Sequence, residues 1–537
     1  MCGIFLGLGS ATYSDCSGCI KTLGARGPEG ECTRTFKQGF MTFTRLAING
    51  LDSTGMQPMD VSGTIFATNG EIYNWKELEK TYDVECKTGS DCEIIGHLYS
   101  KFRDSNNESL GALFQALDGV FATVLVDFEK NRVLVGRDPF GVRPLYKGTK
   151  TVCNKDRVLE TQLFFGSELK SLSDLSQDVE HFAPGTYEVY DLNTRVLLYS
   201  GKYHHTVVKS LPIFDSVEAS CSGVRTALEA AVKKRMMTER PVSALLSGGL
   251  DSSLIAALVA KELKRAGVGP LKTFSIGMKG SQDLFYAKKV ADWIGSDHTE
   301  VVLTENDFFE AIPDTIYAVE SYDTTTVRAS VGNWLVAKAV AKNTECKVVF
   351  NGDGADELFG SYLYMFGAPS PLEYEKEVLR LLKDIHMFDV LRSDRSISSN
   401  GLEARTPFLD KTFVQTVLQI PIKYRQPSVG QPEKWLLRRA FDDGLTLPRE
   451  VLWRRKEAFS DGISGSRPWY EATQELSASI VREWANYKHN HPTTAEMAYY
   501  RTMFDAVYPD MSHLVPYFWM PLWSKSKDPS AKTLENY

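Results

Sequence analysis

The chain has 537 residues, 43% hydrophobic and 24% charged, with a net charge of -7. It is too long for one compact core, so about two to four domains are expected. The charge lacks the basic excess of a nucleic-acid binder, and no stretch approaches the roughly 18–20 uninterrupted apolar residues of a spanning helix; small molecules are the expected partners, with no nucleic acid and no membrane.

At the amino end, MCGIF sets a cysteine second, ahead of glycine and an apolar run. No Lys or Arg precedes Ile4 to Leu8 and glycines interrupt them, so the run does not read as a secretion signal. A buried strand, and a strand whose first residue becomes a reactive chain end once Met1 is removed, both remain. The nine cysteines, odd in number and irregular in spacing, read as reduced thiols of a cytoplasmic protein. Cys16 and Cys19 form a lone CxxC, and Cys32, Cys86 and Cys92 supply no matching pair, so no zinc site is expected.

The first 200 or so residues carry short β-like runs punctuated by glycine: IFLGLG, FMTFTRLAI, TIFATNG, VFATVLVDF, RVLVGRD and QLFFGSE. The clearest helix among them is DCEIIGHLYSKF, where Ile94, Ile95, Leu98 and Phe102 share a face. This is an α+β pattern. GKYHHTVVKSLP reads as a linker. From about residue 216, helices alternate with short apolar strands: VEASCSGVRTALEAAVKKRM, PVSALLS, SSLIAALVAKELKRAG, LKTFSIG, DLFYAKKVADWIG, VRASVGNWLVAKAVAK and CKVVFNGDG. That alternation predicts a parallel sheet with both faces covered. The polar end SKDPSAKTLENY reads as a poorly ordered tail over 526–537.

LLSGGLDSS sits where a buried strand turns into a helix. Gly248 and Gly249 let successive N–H groups curl round an anion at the helix N-terminus, and Ser247, Ser252 and Ser253 offer hydroxyls to phosphate oxygens. Asp251 would be repelled by phosphate unless a cation such as Mg²⁺ lies between them. No lysine follows the glycines, which sets the stretch apart from the GxxxxGK[ST] loop. It resembles instead the PP-loop of ATP pyrophosphatases. NGDGADELFGSY forms a second glycine-rich, acidic turn after an apolar strand, and Asp356 there is the expected partner of Asp251 on the metal. In YDTTTVRAS, Thr325 and Arg328 could grip a small carboxylate, although a helix cap explains the stretch equally. In WRRKEAFSDG, Lys456 could stabilise charge developing at phosphorus, although a solvated basic segment is the simpler reading.

With Met1 gone, Cys2 would carry a thiol and a free α-amine on one residue. The amine, with an ordinary pKa of about 7.7–8.0, can serve as general base for the thiol, and the chemistry suited to the pair is attack on an amide carbonyl.

At this point a resemblance covers nearly the whole chain. MCGIF, RGPEG, RLAI, QPM, NGEIYN, TGSDCE, GRDPFGVRPLY and GSELK look like the class II glutaminase domain; SGGLDSS, FSIGM, YDTTTVRAS, NGDGADELFGSY, GLEARTPFLD and KEAFSDG look like the asparagine synthetase domain. In this order they resemble the glutamine-hydrolysing asparagine synthetases of the B type. The resemblance implies an α+β N-terminal-nucleophile glutaminase sandwich over 2–205 and an α/β parallel-sheet PP-loop domain over 216–525. It implies Cys2 as nucleophile, with Asn69 and Gly70 as the oxyanion hole. Arg45 would bind the glutamine α-carboxylate, Asp91 with Glu71 its α-amine, and Leu46, Ala47, Ile48 and Asn49 would line the pocket. Leu246, Ser247, Gly248, Gly249, Asp251, Ser252, Ile276, Asn351 and Gly352 would border ATP. Asp353 and Lys456 would support formation of a β-aspartyl adenylate, Thr325 and Arg328 the aspartate site, and Asp251 and Asp356 would hold Mg²⁺. Ammonia would cross between the domains shielded from water. A homodimer is common in the family.

The chain departs from the family pattern at Ala25 and Glu29 in ARGPEG, at Phe43 where a histidine is frequent, at Asp353 for glutamate and at Asn351 for serine. These bear on the ammonia path and on adenylation, and none removes a catalytic group. Two rival readings stand beside the first: an amidotransferase adenylating another carboxylate, and a catalytically degraded regulatory relative. Thr325, Arg328 and GLEAR favour aspartate; Cys2, Asn69, Asp91, Asp251 and Asp356 favour a working enzyme.

Overall fold

The computed structural model describes residues 1–153, 159–206, 213–428, 430–483 and 487–530. The first domain runs β1 (Gly3–Leu8), α1 (Tyr13–Lys21), β2 (Gly30–Phe36), β3 (Gly39–Arg45), β4 (Met59–Val61), β5 (Thr64–Ile72), α2 (Trp75–Tyr82), α3 (Ile94–Phe102) and α4 (Gly111–Ala116). It continues β6 (Gly119–Asp127), β7 (Arg132–Arg137), β8 (Tyr146–Cys153), β9 (Leu159–Gly166), β10 (Asp178–His181), β11 (Thr186–Asp191) and β12 (Leu197–Lys202).

These strands form two antiparallel sheets, ordered β10-β8-β9-β1-β3-β2 and β12-β11-β7-β6-β5-β4. Alternation along β1 explains why both sheets are covered. Ile4, Leu6 and Leu8 meet Ala67, Ala122, Val124 and Val135 of the facing sheet. Phe5 points the other way, into a cluster with Phe40, Cys16 and Ile20. On the far side Phe66, Phe121 and Leu125 pack on Ile94, Ile95 and Leu98 of α3. The layers are therefore helix, sheet, sheet, helix, the N-terminal-nucleophile sandwich.

The second domain runs α5 (Val217–Lys234), β13 (Val242–Leu245), α6 (Leu250–Arg265), β14 (Lys272–Met278), α7 (Gln282–Ile294), β15 (Asp297–Leu303), α8 (Glu305–Glu310) and α9 (Ile312–Val319). It continues α10 (Thr324–Asn343), β16 (Val348–Phe350), α11 (Ala355–Leu358), α12 (Pro371–Asp384), α13 (Asp389–Ser398) and β17 (Glu403–Arg405), then a largely helical remainder. All four pairings of the sheet β15-β14-β13-β16-β17 are parallel. Leu254, Ile255 and Leu258 of α6 cover one face with α5, and Val327 and Val331 of α10 cover the other against Phe274, Ile276 and Val349. Strands buried on both faces read as continuous apolar runs, which is why VSAL and VVF stand out in the sequence. Edge strand β15, DHTEVVL, is half-exposed and charged and gives no such signal.

The domains share apolar clusters. Leu46, Ile48 and Phe140 of the first pack with Val232 and Leu246 of the second, and Met1 and Tyr146 with Ile397, Leu402 and Ala404. Arg26, fully buried, pairs at 2.7 Å with both Glu168 of its own domain and Asp394 of α13. Residues 526–530, read on sequence as part of a loose tail, are packed instead, because Asp528 pairs with buried Arg328; 531–537 lie outside the described residues. Part of the expected linker, 207–212, lies outside them as well, whereas Gly201 and Lys202 belong to β12 and Tyr203 is buried. Among the described residues no helix is long and apolar enough to cross a membrane.

Candidate active sites

The start of β1 brings Cys2 to the mouth of a small pocket of about 30 Å³. The Cys2 N–H donates to Asn69 Oδ1 at 3.1 Å, and the Leu46 N–H lies 3.4 Å from Cys2 Sγ. Asn69 Nδ2 is buried with no hydrogen-bond partner among the described residues, a donor left over for an incoming oxygen. Gly70 stands where a Cβ would come 2.1 Å from the Val120 carbonyl, so only glycine fits beside the pocket.

The remaining walls separate charge. Arg45 Nη1 donates to the Asp52 carbonyl at 2.6 Å and Nη2 to the Gly50 carbonyl. Asn49 Nδ2 donates to Glu71 Oε2 at 2.6 Å and to Asp91 Oδ1 at 3.3 Å. Burial pushes the Glu71 carboxyl well up, with Asp91 adding to it, and takes Asp91 to about 6 against the pull of the Ile72 N–H and Arg405. Leu46, Ala47, Ile48, Asn49, Gly70, Glu71 and Asp91 all line this pocket with Cys2 and Arg45, and so does Glu403 of β17, which the sequence reading did not name.

Met1 is buried: its amine donates to the Leu402 carbonyl at 3.2 Å, and burial lowers the amine's pKa to about 5. Burial also raises the Cys2 thiol. Glu29, one of the departures, accepts from the Ala47 N–H at 2.8 Å and pairs with Arg240 at 3.0 Å, tying the pocket loop to the second domain. Phe43 is buried in the core between the sheets.

The second cavity, of about 180 Å³, opens at the carboxyl ends of β13, β14 and β16. Leu246, Ser247, Gly249, Asp251, Ser252, Ile276, Asn351, Gly352, Asp353, Asp356 and Lys456 all line it. Gly248 stands just behind, with φ +73° and its carbonyl accepting from Arg454 at 3.1 Å. A Cβ on Gly248 would meet the Ala287 nitrogen at 2.5 Å. Asp353 accepts from Arg392 of α13 at 3.1 Å, and burial raises its pKa.

Lys434 was invisible to local sequence signals. Its Nζ lies 2.5 Å from Asp251 Oδ2 and 2.6 Å from Asp356 Oδ1, and Lys456 also contacts Asp356. Burial raises Asp251 against Lys434, whereas Lys434 and Lys456 overcome burial and hold Asp356 well below the usual carboxylate range. Lys434 already bridges the two carboxylates, and Asp251 Oδ1 is buried without a hydrogen-bond partner among the described residues. The pair therefore fits a divalent cation.

Thr325 and Arg328 are not brought to this cavity's lining. The Arg328 guanidinium is saturated by Glu496 and by Asp528, at 2.7 Å from the latter. Besides Lys434, the cavity is lined by Asp389 and Arg392, which stand outside every motif quoted above, and by Tyr362 and Arg454, which lie within NGDGADELFGSY and WRRKEAFSDG without having been singled out.

A family model described as asparagine synthase matches residues 223–377 and 368–527, and one described as glutamine amidotransferase domain matches 1–210. Asparagine synthetase [glutamine-hydrolyzing] of Homo sapiens is 41% identical, over 100% of this chain and 99% of that protein. The proteins of the same name from Gallus gallus and Bos taurus are each 40% identical over the same shares.

Proposed function

The chain belongs to the family of glutamine-hydrolysing asparagine synthetases, and from that premise we propose how its two sites divide the work. It is a ligase that makes asparagine from aspartate with ATP, taking nitrogen from glutamine. In the first pocket, Cys2 Sγ attacks the glutamine amide carbon once Met1 is gone, its proton passing to the new α-amine. Asn69 Nδ2 and the Gly70 N–H receive the oxyanion. Collapse, with that proton passed from the α-amine to the leaving nitrogen, expels ammonia and leaves a thioester, which water hydrolyses to glutamate. Arg45 binds the substrate carboxylate, and Glu71 and Asp91 its ammonium group.

In the second pocket the β-carboxylate of aspartate attacks the α-phosphorus of ATP and pyrophosphate leaves. Lys456 steadies the charge at phosphorus and Asp353 the acyl end. Asp251 and Asp356 would hold Mg²⁺, whose charge offsets that of pyrophosphate. Ammonia arriving unprotonated attacks the β-aspartyl carbon and AMP departs. Arg328 serves aspartate by exchanging Asp528 for the substrate's carboxylate, with Thr325 beside it. Nine unpaired cysteines support a reducing, cytoplasmic setting, and a homodimer is the proposed assembly.

The observation that carries this reading is Cys2, tied through its N–H to Asn69, on a pocket with Arg45 at one wall and Glu71 and Asp91 at another. Cys2→Ala should cut glutamine-dependent asparagine synthesis by more than about a thousandfold while synthesis from added ammonia continues. Glutamine use that survives the change rules out Cys2 as nucleophile. A wild-type protein that yields pyrophosphate only with another acid would point to the rival substrate.

A further inference from the structure

The glutamine pocket is not closed by its own domain. Glu403 lines it beside Cys2, and Arg405, two residues on in β17 and fully buried, brings Nη2 to 3.3 Å from Glu71 Oε2. The rest of that guanidinium is anchored: Nε donates to Glu403 at 2.6 Å, and Nη1 to the Arg235 and Met237 carbonyls at 2.9 and 3.2 Å. Nη2 makes no hydrogen bond among the described residues, so its contact with Glu71 is an ion pair alone. The pocket's loop is tied to the same second domain, with the Gly50 N–H on Glu239 at 2.7 Å and Arg240 Nε on the Ala47 carbonyl at 2.8 Å.

Three carboxylates, Glu71, Asp91 and Glu403, converge on this buried space. They cannot all stay ionised without cations facing them. Arg143 and Arg405 are those cations, and Arg143 stands 3.5 Å from Glu403 and 3.8 Å from Asp394. Arg405 is the cation within 4 Å of Glu71 among the described residues. Its carbonyl accepts from the Asn351 N–H at 3.1 Å, so the residue that faces Glu71 also abuts the turn of the second pocket.

Resting on the reading of this pocket as the glutamine site, we infer that Arg405 is a positioning residue for glutamine, a guanidinium from the synthetase domain that orients the Glu71 carboxyl group for the substrate's α-ammonium group. A charge-assisted contact of this kind separates substrates with and without the ammonium group. Its loss also favours protonated Glu71 beside Asp91 and Glu403, so the acid limb of glutamine hydrolysis should move to higher pH.

The test uses the full-length enzyme and follows hydrolysis of glutamine and of glutaramate, the analogue without the α-amino group, across pH, with ammonia-dependent synthesis measured alongside. Arg405→Met should raise KM for glutamine and cut the preference for glutamine over glutaramate, each about tenfold, and move the acid limb upward. Arg405→Lys, which keeps the charge, should recover a large part, and Glu71→Gln in the Arg405→Met background should add little. If Arg405→Met does not fold, Arg405→Gln carries the same readouts. A preference kept within about threefold of wild type, or a loss matched in full by ammonia-dependent synthesis, overturns the inference. Wild-type enzyme that hydrolyses no glutamine would sink the reading of the pocket itself, before any variant is made.

Discussion

The glutamine pocket works by keeping opposite charges on opposite walls in buried surroundings. Asp91 shows the cost most plainly: burial outweighs the Ile72 N–H and Arg405 and raises its carboxyl from 3.8 to about 6. The ammonium group of glutamine needs the ionised form. A raised carboxyl takes up its proton as the pH falls through about 6, so kcat/KM for glutamine hydrolysis should be level above that value and decline below it. Asp91→Asn should raise KM and remove the part of this limb that Asp91 sets, leaving the part that Glu71 sets. A wild-type profile that stays flat down to pH 5 would show that Asp91 does not bind the substrate as an anion.

Among elements, the legible ones are those whose chemistry is local in the chain. The strand, loop and helix from β13 to α6 are readable because apolar run, double glycine and amphipathic helix follow one another directly. β15 escaped notice because an exposed edge strand has no apolar run, and β17 because three residues cannot establish a period. Lys434 reaches Asp251 from 183 residues away, and nothing in its neighbourhood announces that. Arg328 was readable as a charge but not as one already paired with Glu496 and Asp528, which lie 168 and 200 residues distant. The fit between the two acidic turns is equally non-local: a Cβ on Gly352 would come 2.8 Å from the Asp251 Cβ and from the Ser252 nitrogen. Gly352→Ala should therefore push the turn off the loop and slow aspartate-dependent ATP–pyrophosphate exchange about tenfold or more, leaving glutamine hydrolysis intact. Exchange at the wild-type rate would mean the two turns do not need this contact.

At the scale of the molecule, the seam joins the two reactions and is held by charge as well as by apolar packing. Arg26 donates Nε to the Cys2 carbonyl at 3.0 Å while Nη1 bonds Glu168 and Asp394, so the nucleophile's backbone hangs from an ion pair that crosses the domains. Burial opposes ionisation of both carboxylates, yet Arg26 with Arg395 lowers Asp394 to about 2, and Lys170 with Arg26 lowers Glu168 to about 2. Both folded values lie below the ordinary 3.8 and 4.5, so this stabilisation is fully present above about pH 4.5 and is lost as the pH falls toward 2. Removing one partner leaves Arg26 buried with less compensation, which costs about 3–5 kcal/mol when a buried pair is broken. Asp394→Ala should accordingly lower the urea midpoint and reduce glutamine-dependent synthesis more than ammonia-dependent synthesis, because Cys2 loses its support while the second pocket keeps Arg392 on Asp353. If the midpoint moves but the two activities fall together, the pair holds the seam without holding the nucleophile; if neither moves, apolar packing alone joins the domains.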